Sequence, residues 1–177
     1  MPRSSLALAA CAAVLIGCGD GGGDATIDVV YDPCAVVVET RRSSDAQQIG
    51  VSEAVDLWNR VAGLRLTLSG AKDLPRLVLQ FDDAASIFHG VYDDERGVIF
   101  INDDLDGDEL VVTAAHELGH AFGLNHVATR ARRSVMNPNN LTVSPTSDDV
   151  ASLLALWGNC EAPERPPAEP SSGDAER

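Results

Sequence analysis

The chain has 177 residues, enough for one domain of ordinary size with its own hydrophobic core. Its formal net charge is −14 at pH 7. So acidic a surface repels the phosphate backbone, and we therefore exclude nucleic acid as a partner.

Residues 1–18 have the features of an export signal. A basic residue precedes an apolar run that ends at Ile16 and is too short to span a bilayer. The run leads into the letters L-I-G-C, which resemble a bacterial lipobox with Cys18 as the lipidated residue. The glycine-rich residues 19–25 predict a flexible tether. We expect an exported protein, anchored in the envelope by a lipid on Cys18 (in the outer membrane if the cell is Gram-negative). Simple secretion is the alternative.

Residues 26–160 predict strands interleaved with helices. Runs of β-branched or alternating apolar residues predict strands at Ile27–Tyr31, Ala35–Val38, Leu64–Leu68, Arg76–Phe81, Ile87–Tyr92 and Val98–Ile101. Apolar residues at helical spacing predict a helix capped by Asp45 and ended by Gly63, one from about Glu109 to Phe122, and one from Ser147 to Gly158. This order indicates an α+β domain. Residues 161–177 are rich in Pro, Glu and Ser and predict a disordered tail.

The most informative stretch begins at His116 and has the pattern H-E-x-x-H-x-x-G-x-x-H. On a helix, His116 and His120 project from one face, one turn apart, so both imidazoles can reach one metal ion. Gly123 accepts the left-handed backbone that ends a helix, so the chain can turn and bring His126 back as a third ligand. Three neutral nitrogens with an open fourth position are typical of a catalytic zinc site, and Glu117 lies beside them. The alternative is a buried core helix that contains histidines by chance, but burial alone does not favour two histidines one turn apart on the same face.

This motif resembles that of the metzincin zinc endopeptidases. Residues 134–138, S-V-M-N-P, resemble the Met-turn of that family, which places Met136 beneath the metal. Pro138, two residues after the methionine, is more similar to the matrixins than to the astacins. The resemblance covers about residues 45–158. It implies a metzincin-like zincin domain: a mixed, mostly parallel twisted sheet with an active-site helix, a packing helix and a C-terminal helix.

The resemblance implies a zinc-dependent endopeptidase that acts on extended protein or peptide substrates. We expect the protein to be a monomer. His116, His120 and His126 would bind one Zn²⁺, and Glu117 would be the general base. A substrate would add along the edge strand near Ile87–Tyr92. Two other functions stay open: a non-catalytic zinc-binding envelope lipoprotein, structural or partner-binding, and a zinc hydrolase for a non-protein substrate. Glu117 favours catalysis, because a purely structural site does not need that acid.

Two cysteines, Cys34 and Cys160, lie near the two ends of the predicted domain. Outside the cytoplasm a disulfide between them is the favoured interpretation. The alternative is that Cys34 is a thiolate ligand of the zinc, as in the matrixin cysteine switch, but the sequence around it does not match that switch.

Other polar residues support weaker predictions. His89 is the only histidine outside the motif, so we expect an ordinary strand residue and no second zinc site. The loop before the motif helix contains Asp103, Asp104, Asp106 and Asp108. These acids fit either a calcium site or a solvated acidic loop. The segment before the Met-turn contains Arg130, Arg132 and Arg133. An exposed basic patch is favoured there over a preference for acidic substrate side chains.

Overall fold

The computed structural model describes residues 27–70 and 72–160. The predicted export signal with its lipobox (1–18), the tether (19–25) and the tail (161–177) therefore lie outside the described residues. The elements are β1 (Val37–Arg41), α1 (Asp45–Ala62), β2 (Arg76–Asp82), β3 (Gly90–Asp93), β4 (Val98–Asn102), α2 (Gly107–Ala121) and α3 (Ser147–Trp157). None of the helices described here has the length and apolar character needed to cross a membrane.

The strands form one mixed sheet in the order β1-β2-β4-β3. β1 and β4 both run parallel to β2, whereas β3 pairs antiparallel with β4. This is the α+β domain with a mostly parallel sheet that the sequence predicts. Within the described part of the chain β3 has a strand neighbour on one side only, and its other side is an open edge.

The segment Ile27–Tyr31 was predicted to be a strand, and that prediction is wrong. Its backbone bonds instead to a turn and to a helix end. The N–H of Val29 donates to the Asp94 carbonyl (3.1 Å), and the N–H of Tyr31 donates to the Ala121 carbonyl (2.8 Å). The β-branched composition indicated residues that pack against the domain, but it did not indicate a strand partner.

The strand predicted at Leu64–Leu68 is also wrong. Leu64 and Leu66 are buried, as their alternation with polar residues indicates. Strand pairing there is limited to one isolated bridge between Thr67 and Val37. Leu68, the third alternating leucine, is exposed. Alternation therefore indicated the burial of Leu64 and Leu66 correctly, but neither the exposure of Leu68 nor the lack of a strand partner.

Two other predicted strands are shifted along the chain. A strand was predicted at Ala35–Val38, but β1 begins two residues later, at Val37. A strand was also predicted at Ile87–Tyr92, but β3 begins three residues later, at Gly90. The side-chain amide of Asn102 donates to the Phe88 carbonyl (2.9 Å), which holds the residues before β3 in a loop.

Helix α1 packs against α2 through a buried tryptophan. The indole N–H of Trp58 donates to the Ala115 carbonyl in α2 (2.9 Å). The helix is capped by Ser44, one residue before the predicted Asp45, because Ser44 and Gln47 form a capping box. It ends at Gly63, whose φ of 63° is the left-handed conformation that glycine accepts at little cost.

Helix α3 returns to the end of α2 that carries the histidines. The indole N–H of Trp157 donates to the Phe122 carbonyl (2.8 Å), and Leu153 is fully buried. Thr146 and Asp149 form a capping box at the start of the helix. α3 therefore fixes the position of the chain that follows the motif.

Cys34 and Cys160 are joined by a disulfide, with their Cα atoms 5.2 Å apart and a sequence separation of 126 residues. Closing a loop of this length restricts the unfolded chain and contributes on the order of 4 kcal/mol to stability. With its sulfur in this bond, Cys34 is not a zinc ligand here.

Candidate metal centre

The turn after α2 brings the three motif histidines together. Phe122 is the C-cap of α2, and Gly123 follows with a φ of 92°, which a residue with a Cβ rarely adopts. The N–H of Leu124 then folds back onto the Gly119 carbonyl (2.9 Å). This reversal returns His126 to the face of α2 that carries His116 and His120.

The three Nε2 atoms converge on one point. They lie 3.1 Å apart between His120 and His116, and 3.2 Å apart from His126 to each of the other two. Three nitrogens at zinc-binding distance and tetrahedral angles would be about 3.3 Å apart. The spacing of this group therefore fits one zinc ion.

Hydrogen bonds to the opposite ring nitrogens fix the tautomers of two of these histidines. The Nδ1 atom of His116 lies 2.6 Å from the Val135 carbonyl, and that of His120 lies 2.8 Å from the Leu124 carbonyl. A carbonyl oxygen only accepts, so each Nδ1 carries the proton and each Nε2 presents a lone pair. Lone pairs aimed at one another repel, and a cation between them removes that repulsion. The donor set therefore fits a metal ion.

Burial keeps these rings neutral, which is the form that binds a metal. It lowers the pKa of His116 to about 4 and that of His120 to about 3. His126 is more exposed than the other two histidines, but partial burial lowers its pKa as well.

Glu117 lies in the narrow space between α2 and the edge strand β3. The residue is 5% exposed, and a Cβ added to Gly90 would lie 3.1 Å from its Oε1. Burial raises the pKa of the Glu117 carboxyl to about 8, and a hydrogen bond from the backbone N–H of Tyr92 opposes that rise. A carboxyl of this kind is poised to exchange a proton near neutral pH.

Met136 packs against the motif helix at Gly119, which directly precedes His120. It is 1% exposed, and a Cβ at Gly119 would overlap its sulfur. Gly119 is thus a site residue that the sequence reasoning missed, because its position in the motif accepts any residue by pattern. Its lack of a side chain is what allows the methionine to approach α2.

Asp149 connects α3 to the Met-turn, a contact that the sequence analysis did not predict. It is 1% exposed. Its carboxylate accepts from the hydroxyl of Ser134, from the N–H of Val135 (3.0 Å), and from the N–H and hydroxyl of Thr146 (2.9 and 2.8 Å). The carbonyl of the same Val135 accepts from His116. A single backbone residue therefore links the buried carboxylate to a metal-binding ring.

The loop between His126 and the Met-turn is closed by Asn137. Its side-chain oxygen accepts from the N–H of Ser134 (3.0 Å), and its amide donates to the carbonyls of Val127 (2.8 Å) and Arg132 (3.1 Å). The guanidinium of Arg132 faces Asp149 (3.3 Å).

The three arginines of that loop differ in their environment. Arg130 and Arg133 are exposed, whereas the side chain of Arg132 is 28% exposed and also reaches Asp148 (3.7 Å). The basic segment is therefore two exposed arginines and one that pairs with α3.

No second group of three His, Cys, Asp or Glu ligands within ligating distance forms in residues 27–70 and 72–160. His89 directly precedes β3, and its carbonyl accepts from the N–H of Asn102 (2.8 Å). Its side chain is not part of the three-histidine group. The four acids predicted to lie before the motif helix are all exposed, three of them before α2 and the last in its first turn: Asp103, Asp104, Asp106 and Asp108.

Comparison with known proteins points to one family. Residues 79–158 match the matrixin model of the M10 peptidases. Human matrix metalloproteinase-17 is 33% identical over 96 residues, which cover 47% of this chain and 16% of that protein. The chain thus spans a small part of that relative's length.

Solved structures extend the similarity to the fold. Two structures of myroilysin superpose with a TM-score of 0.54, and each alignment covers 73% of this chain and 86% or 82% of the other. At 10% sequence identity this likeness shows a shared fold and nothing more.

The region matched by the family model contains the three converging histidines, Glu117 and Met136. The similarities in sequence and in fold therefore meet at the same site. Residues 79–158 are thus similar to the matrixins, and the domain has the fold of myroilysin.

Proposed function

We propose that this chain is a zinc-dependent endopeptidase that hydrolyses peptide bonds in extended protein or peptide substrates. The observation that carries the proposal is the convergence of three Nε2 atoms beside a buried carboxyl group. His116, His120 and His126 would hold the zinc, and Glu117 would do the proton chemistry.

A zinc ion held by the three imidazoles would polarise the scissile carbonyl and make water a stronger nucleophile at neutral pH. The Nδ1 bonds of His116 and His120 to backbone carbonyls keep the two rings oriented for that role. The third ligand, His126, is exposed and leaves one side of the site accessible to a substrate.

Glu117 would take a proton from the attacking water and pass it to the departing amine. Burial, opposed by the backbone N–H of Tyr92, raises the pKa of its carboxyl to about 8. A cation bound a few ångströms away favours the ionised form and brings the pKa down toward neutrality. A general base works best when its pKa lies near the working pH.

The substrate would bind along the open edge of β3. The N–H of Asn102 donates to the His89 carbonyl, so by the antiparallel alternation the backbone groups of Gly90 and Tyr92 point away from β4. A Cβ added to Gly90 would lie 3.1 Å from the Glu117 Oε1, so the open edge lies next to the carboxyl group. An extended peptide paired with this edge would present a backbone carbonyl to the site whatever its side chains.

The test is the cleavage of an unfolded protein by the purified chain, with and without a chelator. We expect cleavage to stop with the chelator and to return when zinc is added. Glu117→Gln keeps the size of the side chain but removes its basicity, so we expect zinc to be retained while kcat falls about 10²–10⁴-fold. Glu109→Gln, at an exposed position of the same helix, is the matched control and should behave as wild type.

The other functions predict different results. Stoichiometric zinc with no cleavage of any protein would favour a non-catalytic zinc-binding lipoprotein. Cleavage of small esters or other non-protein compounds alone would favour a different zinc hydrolase. Wild-type proteolysis by Glu117→Gln would overturn the role given to that residue.

We also propose that the protein is exported and anchored to the envelope through a lipid on Cys18. The disulfide between Cys34 and Cys160 supports export, because such bonds persist in oxidising compartments. Cys18→Ser should move the protein from the membrane fraction to the soluble one. An unchanged membrane fraction would argue against the lipid anchor.

A further inference from the structure

The side chain of Asn140 uses every donor and acceptor of its amide group. Its Nδ2 donates to the carbonyls of Val135 (3.1 Å) and Val143 (2.7 Å). Its Oδ1 accepts from the N–H groups of Thr142 (3.1 Å) and Val143 (2.8 Å). Because carbonyls only accept and backbone N–H groups only donate, these four partners fix the orientation of the amide.

Three of these bonds are local, since their partners lie two or three residues further along the chain. They fold the loop that follows the Met-turn around the side chain of Asn140. The fourth bond reaches back by five residues to Val135, which directly precedes Met136. The chain reverses between the two residues through Asn139, whose φ is 56°. Asn140 therefore joins this loop to a backbone carbonyl inside the site.

The Val135 carbonyl is the group that also accepts from Nδ1 of His116 (2.6 Å). A carbonyl oxygen has two lone pairs, so His116 and Asn140 together fill its capacity. Val135 is fully buried, so water cannot replace either donor. At the other end of the same peptide unit, the N–H of Met136 donates to the hydroxyl of Ser134 (3.0 Å).

A carbonyl can orient a histidine ring only if something other than that ring holds the carbonyl. The bond from Met136 to Ser134 restrains the N–H end of the peptide unit, and Asn140 restrains its oxygen. Without Asn140, the oxygen would be bonded to His116 alone, and the two could move together. Outer partners of this kind set the direction of a metal-binding ring.

We propose that Asn140 is a positioning residue for the zinc site. Its amide fixes the Val135 carbonyl, and this carbonyl holds the ring of His116 with its Nε2 directed at the other two histidines. The inference rests on the metal site of the proposed function. It adds to that site a residue that lies outside both the histidine motif and the Met-turn.

The experiment compares two substitutions. Asn140→Ala removes all four bonds, whereas Asn140→Asp keeps an oxygen for the N–H groups of Thr142 and Val143 and loses the donor to Val135. In both variants we expect the zinc dissociation constant, measured by competition with a chromogenic chelator, to rise about tenfold. The negative charge added by Asn140→Asp would by itself attract the cation, so a rise in that variant reports the lost donor. Thr142→Val, at an exposed position of the same loop, is the matched control and should bind zinc as the wild type does.

The side-chain N–H signals of the zinc-loaded protein test the position of the ring independently of activity. His116 and His120 each donate from Nδ1 to a backbone carbonyl, and Asn140 shares the carbonyl of His116. Asn140→Ala should therefore shift the Nδ1–H resonance of His116 in proton–nitrogen correlation spectra and leave that of His120 in place. If Asn140 only supported its loop, the melting temperature would fall while both resonances and the zinc dissociation constant stayed as in the wild type. That result would overturn the inference.

The two proposals fail in different ways. If the wild type binds zinc and cleaves protein, but Asn140→Asp matches it in zinc affinity and in the His116 resonance, the endopeptidase stands and the role of Asn140 is wrong. If the wild type binds zinc and cleaves nothing, the endopeptidase is wrong, and the zinc measurements still decide the role of Asn140. If the wild type binds no zinc, both are wrong.

Discussion

Removal of the Asp149 carboxylate should weaken both the fold and the metal site. Asp149→Ala leaves two fully buried donors without an acceptor, the hydroxyl of Ser134 and the N–H of Val135. Each unsatisfied buried group costs about 1–3 kcal/mol. The donors of Thr146 are partly exposed and can turn to water. We therefore expect the free energy of unfolding to fall by about 3 kcal/mol.

We also expect Asp149→Ala to lower the affinity for zinc, because Val135 makes a second hydrogen bond, to His116. The N–H of Val135 donates to the Asp149 carboxylate, and the carbonyl of Val135 accepts from Nδ1 of His116. Loss of such an outer partner lowers metal affinity about 10–100-fold in known sites. We expect a loss of that size in Asp149→Ala, and a smaller one in Asp149→Asn, which keeps one oxygen acceptor.

Asp148→Ala is the matched control, because Asp148 is the neighbouring acid and its side chain is 67% exposed with one long contact to Arg132 (3.7 Å). It should change stability by no more than about 0.5 kcal/mol. Urea unfolding at fixed zinc gives the stability, and competition with a chromogenic chelator gives the zinc affinity. If Asp149→Ala and Asp148→Ala are equal in both measurements, the connection from α3 to His116 has no energetic weight.

Three further results are expected. Gly119→Ala places a Cβ against the sulfur of Met136 and should cost about 1–3 kcal/mol by thermal unfolding, so an unchanged melting temperature would contradict the packing described. Cys34→Ser opens the disulfide to Cys160 and should cost about 2–5 kcal/mol, and the wild type treated with reductant should match it. Burial by itself would raise the pKa of Asp149, but hydrogen bonds from Ser134, Thr146 and Val135 outweigh it and lower that pKa. The stabilisation by ionised Asp149 is thus complete well above the unfolded value of 3.8 and is lost as the pH falls through the lower folded value. Acid unfolding curves of Asp149→Asn should lack this component.

The site was predictable where its geometry is local. The spacing of His116 and His120 fixes their common face on any helix, and Gly123 marks the place where the chain can reverse. The helices were found for the same reason, since their periodicity and their glycine ends lie within a few residues of sequence. The strands were predicted less well, because alternation such as that of Leu64 and Leu66 records burial and not the choice of a partner.

What sequence could not show is the set of contacts that join distant segments. Asp149 follows a helix cap, so its position suggests a dipole role, yet its main partners are Ser134 and Val135 in another segment. Gly119 is an unspecified position of the motif, and its importance comes from Met136. No spacing rule relates such pairs, because they meet only after the chain has folded.

These contacts explain why the motif needs the whole domain around it. α1 bonds to the Ala115 carbonyl through Trp58, directly before His116 in the motif helix. α3 reaches the same histidine from the other side, through Asp149 and Val135. Two of the three rings are thus oriented by backbone carbonyls that the rest of the fold holds in place. A helix carrying the motif alone would offer nitrogens at the right spacing. Without these supports, however, its histidine rings would have to become ordered when the metal binds. The free energy of that ordering would lower its metal affinity.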